Sequence, residues 1–173
     1  MRTLRMASFS LVILSLVIGS SIGATATTEE PLSPISHVTG SLEVDQLPGG
    51  TFAVQDRVFQ YRDYAMSASG ARISDPRLAG RVLSDWNWDV HASGALPVPA
   101  WGTMSISTAD GSWEGTFTGI KRGDVEPMGV RAFLFGEGDY EGLCATLDIA
   151  ATRLPYGDSW VLDGIIHPVD MAG

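Results

Sequence analysis

The sequence predicts an all-β protein, specifically an antiparallel eight-stranded barrel, with a β-sandwich as the alternative. Much of the chain beyond its first 36 residues alternates apolar and polar residues with a period of two, which is typical of strands with unlike faces. The 20 glycines and 9 prolines interrupt the chain too often for long helices. Parallel strands would need crossover helices, and the segments between the predicted strands leave no room for them, so antiparallel pairing is expected.

The first 26 residues carry the three zones of a secretory signal peptide. Arg2 and Arg5 give a positive start, residues 9–18 are mostly apolar, and Ala-Thr-Ala at 24–26 supplies small residues at the spacing of a cleavage site. An uncleaved membrane anchor is the alternative, but it would need an apolar run of about 20 residues, roughly twice the run present. We therefore expect an exported protein, periplasmic or extracellular, with no stable membrane anchor after cleavage.

The remaining chain divides into a short lead-in and one domain. Residues 27–36 are largely polar and contain two prolines, which favours a flexible lead-in, and residues 37–173 are expected to form the barrel. Turn-forming sequences rich in Gly, Pro and Asp separate nine predicted strands in this domain. The predicted strands are His37–Asp45, Thr51–Val54, Arg57–Ser69, Gly80–His91, Trp101–Thr108, Trp113–Lys121, Gly129–Phe135, Glu141–Arg153 and Ser159–His167.

Three of the predicted strands have one apolar face, which is typical of a sheet with a buried and a solvated side. The residues on these faces are Val82, Trp86, Trp88 and Val90; Leu143, Ala145, Leu147 and Ile149; and Trp160, Leu162, Gly164 and Ile166. Glycines inside strands favour the barrel over the sandwich, because an interior glycine weakens pairing unless it permits a sharp bend or a close approach of backbones. These glycines are Gly115, Gly119, Gly142 and Gly164.

The charge balance excludes two classes of partner. The formal net charge is −9, from 20 Asp and Glu against 11 Lys and Arg, and removal of Arg2 and Arg5 with the leader would leave −11. A nucleic-acid-binding protein needs a basic face that displaces counterions. A polybasic membrane-surface protein needs clustered Lys and Arg. Neither nucleic acid nor a membrane surface is therefore an expected partner.

Cys144 is the only cysteine, so no internal disulfide can form. We expect a buried structural thiol, because the nearest charged residues in the sequence, Glu141 and Asp148, are acidic, whereas reactive cysteines have cationic neighbours. The three histidines are far apart in the sequence and no Cys/His cluster is present. The sequence therefore predicts neither a metal site nor a cofactor.

Several segments taken together resemble known exported proteins. They are Ser-Asp-Pro-Arg-Leu-Ala-Gly at 74–80, Trp-Gly-Thr at 101–103 with Gly-Ser-Trp-Glu-Gly at 111–115, and Gly-Glu-Gly-Asp-Tyr-Glu-Gly-Leu at 136–143. Their order and spacing resemble a group of uncharacterised exported bacterial proteins. The third segment, with Gly-Ile-Ile at 164–166, also resembles the allene oxide cyclase and dirigent barrel superfamily. The resemblance covers residues 38–168 and implies an eight-stranded barrel with room for an apolar cavity, but it carries no catalytic residue over to this chain.

The glycine-rich segment 136–142 has two interpretations. Gly136, Gly138 and Gly142 could belong to a dinucleotide-binding loop, but that fingerprint precedes a helix, and the acidic residues between these glycines would repel a phosphate. We expect instead a glycine bend at which two strands close on each other, with Tyr140 packed beside it.

Aromatic and charged residues supply the candidate sites. The candidates for the wall of a ligand pocket are Tyr61, Trp86, Trp88, Trp101 and Trp113. The preferred alternative for the tryptophans is that they fill the interior of a small barrel. Asp63 and Arg131 are the candidate catalytic acid–base pair, with an ordinary cross-strand salt bridge as the preferred alternative.

Three functions are compatible with these observations. The first is an exported, non-enzymatic β-barrel domain whose candidate partner is a small hydrophobic ligand. The second is a cyclase- or isomerase-like enzyme on an apolar substrate, and the third is a secreted interaction module that uses an exposed sheet face. A wide apolar pocket would favour ligand binding, converging ionisable groups in an enclosed pocket would favour an enzyme, and a filled barrel would favour the interaction module.

Overall fold

The computed structural model describes residues 33–94, 97–122, 128–151 and 159–169. Within these ranges the chain forms nine strands and one short 3-10 helix, Pro76–Leu78. The strands are β1 (Ser36–Gln46), β2 (Thr51–Gln55), β3 (Val58–Ile73), β4 (Arg81–His91), β5 (Val98–Ser107), β6 (Gly111–Lys121), β7 (Met128–Gly138), β8 (Leu143–Ala151) and β9 (Ser159–Pro168). The expected signal peptide and residues 27–32 of the lead-in lie outside the described residues. None of the helical structure in the described ranges is long and apolar enough to cross a membrane.

Eight of the strands close into a ring. The strands from β3 to β9 pair antiparallel in the order of the sequence, β3 with β4 and so on to β8 with β9. β1 closes the ring because it pairs antiparallel with both β9 and β3. β2 lies outside the ring and pairs only with the first part of β3, from Thr51 opposite Arg62 to Gln55 opposite Val58. The predicted all-β class and antiparallel eight-stranded barrel are confirmed. Because successive strands alternate in direction, the β3–β4, β5–β6 and β7–β8 connections share one end of the ring, which we call the lower end.

The interior of the ring is filled by large side chains. Trp86, Trp113 and Trp160 are at most 2% exposed. The ring centroid of Trp86 lies 4.3 Å from that of Phe117 and 4.9 Å from that of Trp160. The indole Nε1 of Trp86 donates a hydrogen bond of 2.9 Å to the buried hydroxyl of Ser84, which satisfies both polar groups. The three predicted apolar faces point into this core.

Glycines let neighbouring strands approach closely within the ring. A Cβ atom on Gly102 of β5 would overlap the carbonyl oxygen of Asp85 on β4 and would lie 2.6 Å from the ring of Phe117. A Cβ on Gly115 would lie 2.9 Å from the Cα of Leu134 on the next strand. Real Cβ atoms do not approach other atoms so closely, so these positions accept only glycine without movement of the backbone.

Several strand boundaries differ from the prediction: β3 extends to Ile73 and β7 to Gly138, and the starts of β5 and β8 also differ. β5 begins at Val98 rather than Trp101 and includes Pro99. This proline immediately precedes Ala100, the first residue of β5 that pairs with β4. A proline is tolerated there because no N–H is required on that side. β8 begins at Leu143 rather than Glu141, because the segment before it forms a turn in which Gly138 and Gly142 have φ values of +68° and +83°.

Replacing Gly142 with valine should destabilise the protein by about 1–2 kcal/mol, because an L-residue with a branched Cβ is strained at positive φ. Gly138→Val should act in the same direction for the same reason. Glu137→Ala is the control: Glu137 is exposed and its carboxylate accepts a long 3.4 Å hydrogen bond from Ser112, so loss of this side chain should change stability by less than about 0.5 kcal/mol. Urea denaturation measures the free energy of unfolding of the three variants. Equal midpoints for Gly142→Val and the wild type would show that the turn does not depend on this conformation.

Candidate functional site

A bulge in β3 places two tyrosines on the same face of the sheet. The register between β3 and β4 shifts between Tyr61 and Tyr64, with Tyr61 opposite Trp88 and Tyr64 opposite Trp86. Asp63, within the bulge, has a φ of +57°, and its backbone N–H donates a 3.2 Å hydrogen bond to Oδ1 of Asn87. A strand without the bulge would direct residues 61 and 64 to opposite faces. The bulge therefore brings Tyr64 beside Tyr61, with 5.9 Å between the ring centroids.

Five aromatic rings form a continuous surface at this bulge, which we call the aromatic platform: Phe52, Phe59, Tyr61, Tyr64 and Trp88. Tyr61 stacks on Trp88, with 4.8 Å between centroids and 11° between the ring planes, and Tyr64 lies 4.9 Å from Trp88. Phe52 lies 5.2 Å from Tyr61 and 5.8 Å from Phe59. Exposure rises along the platform, from 7% at Trp88 to 53% at Phe52.

The platform continues the inner face of the barrel beyond the ring. Trp88 shares the inward face of β4 with Trp86. Tyr61 pairs with Trp88, and Phe52 of β2 pairs in turn with Tyr61. Because paired residues of antiparallel strands point to the same side, this face extends from the filled interior onto the β2–β3 hairpin. Beyond the bulge, towards the lower end, β3 pairs with β1 instead of β2, and this pairing starts with Gln46 opposite Met66.

Arg62 secures the bulge from the opposite, outer face. Its guanidinium forms an ion pair of 2.7 Å with Asp89 and lies 4.9 Å from the ring centroid of Trp101. The same side chain donates hydrogen bonds to the carbonyl oxygens of Tyr61, at 2.7 Å, and Trp88, at 3.2 Å. These contacts join the bulged strand to β4 and β5 and stabilise the positions of the rings on the other side.

The structure sorts the predicted pocket residues into three groups. Tyr61 and Trp88 belong to the platform. Trp86 and Trp113 are fully buried core residues, as their alternative interpretation held. Trp101 lies apart from both groups, on the outer face, where it is 37% exposed and packs against Arg62. The reason is the alternation of β5, in which Ala100 and Gly102 take the inward positions.

The candidate acid–base pair is not formed. Arg131 on β7 donates two hydrogen bonds, of 2.7 and 2.8 Å, to the carboxylate of Asp148 on β8. The hydrogen bond and the charge of Arg131 lower the pKa of Asp148, and both side chains are exposed on the outer face. Asp63 lies instead at the β3 bulge. Arg131 therefore forms an ordinary cross-strand salt bridge, with a partner other than the predicted one.

A second cluster closes the lower end of the ring. Asp75 precedes the 3-10 helix and accepts hydrogen bonds from Arg77: 3.0 Å from the backbone N–H, 3.0 Å from Nε and 2.6 Å from Nη2. Ser36 donates a further short hydrogen bond to Asp75. The side chains of Arg77 and Asp75 are only 7% and 5% exposed. Burial alone would raise the pKa of Asp75, but the hydrogen bonds and the charge of Arg77 lower the pKa below its usual 3.8.

Tyr140 and the glycine turn join this lower cluster. The ring of Tyr140 stacks on Trp113 with 5.3 Å between centroids, and its hydroxyl lies 2.7 Å from Oγ1 of Thr108. The indole Nε1 of Trp113 donates a 2.8 Å hydrogen bond to the carbonyl oxygen of Arg77. A Cβ on Gly136 would overlap the backbone of Tyr140. The turn thus packs Tyr140 against the end of the core.

Two depressions lie on the outer surface of the described strands. One of about 790 Å³ is lined by residues of β1 and β6 to β9, including Val161, which is 53% exposed. The inward-facing residues along it, Val130, Ile149 and Leu162, are at most 4% exposed, so it opens to the outside of the ring. A second, of about 640 Å³, lies outside β3 to β6. Neither depression is lined by residues of the platform.

Comparisons with known proteins add no assignment. No protein-family model matches the sequence, and no curated protein or solved structure is significantly similar to it. Among the described residues, no group of three or more His, Cys, Asp or Glu side chains is arranged to hold a metal ion.

Proposed function

We propose that the protein is a non-enzymatic binding protein that holds a small hydrophobic ligand on the aromatic platform. The observation that carries this proposal is the unbroken contact of five rings that leads from the buried Trp88 to the half-exposed Phe52. A flat apolar ligand could stack on Phe52 and Tyr61 and remove their exposed surface from water. The hydroxyl groups of Tyr61 and Tyr64 would supply polar contacts at the edge of such a ligand.

The cost of building the platform supports a functional role. Asp63 is held at positive φ within an irregular strand, a conformation that costs about 1–3 kcal/mol. Arg62 and Asn87 both make hydrogen bonds that maintain the bulge. A regular strand would avoid this strain, but it would turn Tyr64 away from Trp88. Strained bulges of this kind are concentrated beside binding sites.

The filled interior favours the platform over the barrel centre as the site. The three tryptophans of the core are fully buried, so a ligand of drug size would have to displace them. The enzyme alternative has less support, because the nearest charged pair, Arg62 and Asp89, is engaged in an ion pair on the opposite face of the sheet. With a net charge of −9, the protein should bind uncharged or cationic ligands in preference to anions.

Phe52→Ser should weaken the binding of an uncharged apolar dye such as Nile red by about tenfold, because one ring of the platform and its apolar area are lost. The measurement is a titration followed by the emission of the dye. Phe135→Ser is the matched control, since Phe135 is equally exposed at 57% but lies on the outer face of β7. Unchanged affinity in Phe52→Ser would overturn the proposal.

An interaction module remains the second candidate function. It is favoured by a group of exposed apolar residues on the outer face of β7 and β9: Phe133, Phe135 and Ile165, which are 47%, 57% and 40% exposed. The same titration separates the two functions. Loss of dye binding in Phe135→Ser with retention in Phe52→Ser would move the binding surface to the outer face.

A further inference from the structure

Cys144 is not the buried thiol that the sequence predicts. It lies on the outer face of β8, where the alternating residues Ala145 and Leu147 point inward, and it is only half-buried. It stands directly opposite His167 of β9 on one side and Phe135 of β7 on the other. Its Sγ lies 3.2 Å from Nε2 and 3.4 Å from Nδ1 of His167.

The hydrogen bonds of His167 make its ring a proton acceptor for the thiol. Nδ1 lies 2.9 Å from the carbonyl oxygen of Pro168, which can only accept a hydrogen bond. Nδ1 therefore carries the proton and donates it to this oxygen, and Nε2, the ring nitrogen nearer to Sγ, is left unprotonated. A nucleophile within reach of a base, with the base oriented by a third group, is the arrangement that activates thiols.

The surroundings of the pair are apolar rather than acidic. Phe135 and Ile165 are exposed beside it, and the expected acidic neighbour Asp148 is bound by Arg131. The register places two carboxylates of other strands on this side of the sheet: Glu114 of β6, opposite Phe135, and Glu137 of β7, two residues along from Phe135. On β8 and β9, therefore, the group that faces the thiol is the imidazole.

We propose that Cys144 and His167 form a thiol–disulfide exchange site for uncharged, aromatic disulfides of low molecular mass. Nε2 of His167 takes the proton of the thiol, and Sγ attacks one sulfur of the disulfide. A new bond forms between Sγ and that sulfur, the S–S bond of the reagent breaks, and the second sulfur leaves as a thiolate, which takes up the proton from the imidazolium. The disulfide is the oxidant, and Phe135 supplies an apolar contact for its ring.

The test is the rate at which 2,2′-dithiodipyridine releases its thiopyridone, followed by absorbance. At neutral pH, His167→Gln should lower this rate by about tenfold or more, since it removes the base. Cys144→Ser should abolish the reaction, and mass spectrometry should find one thiopyridine adduct per wild-type chain. His37→Gln is the matched control, because His37 is also exposed on the outer face, with Nε2 3.2 Å from Asp163, and its rate should equal that of the wild type.

A second pH distinguishes a base from a merely structural role. At about pH 10 an ordinary thiol is already ionised, so wild type and His167→Gln should react at the same rate there. Equal rates at neutral pH, or a deficit of His167→Gln that persists at about pH 10, would overturn the proposal. A wild-type rate no greater than that of a free cysteine peptide would also overturn it.

Discussion

Replacing Gly102 with alanine should lower the free energy of unfolding by about 3 kcal/mol, or prevent folding. The added Cβ would overlap the carbonyl oxygen of Asp85 on β4 and press on the ring of Phe117. Neither can move easily, because Asp85 is paired in the ladder with β5 and Phe117 packs against Trp86. The ring of strands would have to open locally between β4 and β5, or a core side chain would have to be displaced. Urea denaturation, with near-ultraviolet circular dichroism as a report on tryptophan packing, measures the loss.

Gly129→Ala provides the control for this prediction. Gly129 is also in a strand of the ring, but among the described residues no atom beyond those of its chain neighbours lies within 4 Å of the position its Cβ would take. Alanine there should be neutral, or stabilising by up to about 1 kcal/mol, because it reduces the freedom of the unfolded chain. If the two variants had the same stability, close backbone approach would not explain the glycines of the ring.

Replacing Arg77 with methionine should lower the free energy of unfolding by about 3–5 kcal/mol, at least as much as Gly102→Ala. The change leaves the carboxylate of Asp75 buried without its cation. Methionine is close to arginine in length, so the change removes the charge and the donors more than the packing. Arg131→Met is the matched control: Arg131 makes the same two-bonded contact with Asp148, but both partners are more than half exposed. Its melting temperature should match that of the wild type. Similar losses in both variants would refute the importance of burial.

The same pair predicts a dependence of stability on pH. The pKa of Asp75 is lower in the folded chain than its usual 3.8, so the unfolded chain binds a proton more readily as the pH falls through about 4. The contribution of the pair is therefore complete above that pH and is lost below it. Asp75→Asn should be less stable than the wild type at neutral pH, and the difference should shrink below about pH 4. A difference that stays constant down to about pH 2 would contradict this mechanism.

The strands could be predicted from the sequence because local alternation determines them. All nine predicted strands are present, and the inward faces of β4, β8 and β9 are those that their alternation indicated. The short strand β2 could be located, but nothing in its five residues showed that it would stand outside the ring. That position depends on which strand pairs with the lower half of β3, and this pairing is set by the closure with β1.

The candidate sites could be predicted only in part, because they depend on register. Tyr61 and Trp88 were selected as aromatic candidates, but the contribution of Tyr64 depends on a bulge that reverses its expected face. His167 is 23 residues from Cys144 in the sequence, so its contact with the thiol follows from the pairing of β8 with β9. Likewise, Asp148 is the partner of Arg131 because the two lie opposite each other on neighbouring strands.

The position of β1 in the ring has a consequence for the order in which the chain can fold. Ser36 pairs with Ile166, about 130 residues later, whereas the other pairs of the ring join strands that are near in sequence. Hairpins from β3 to β8 can form early, but the loop-closure entropy of the last pairing must be overcome before the tryptophan core is enclosed. A chain emerging from the ribosome would therefore carry two open edges, on β1 and β8, until β9 is synthesised, and during that interval it would be most vulnerable to proteolysis and to pairing with other chains.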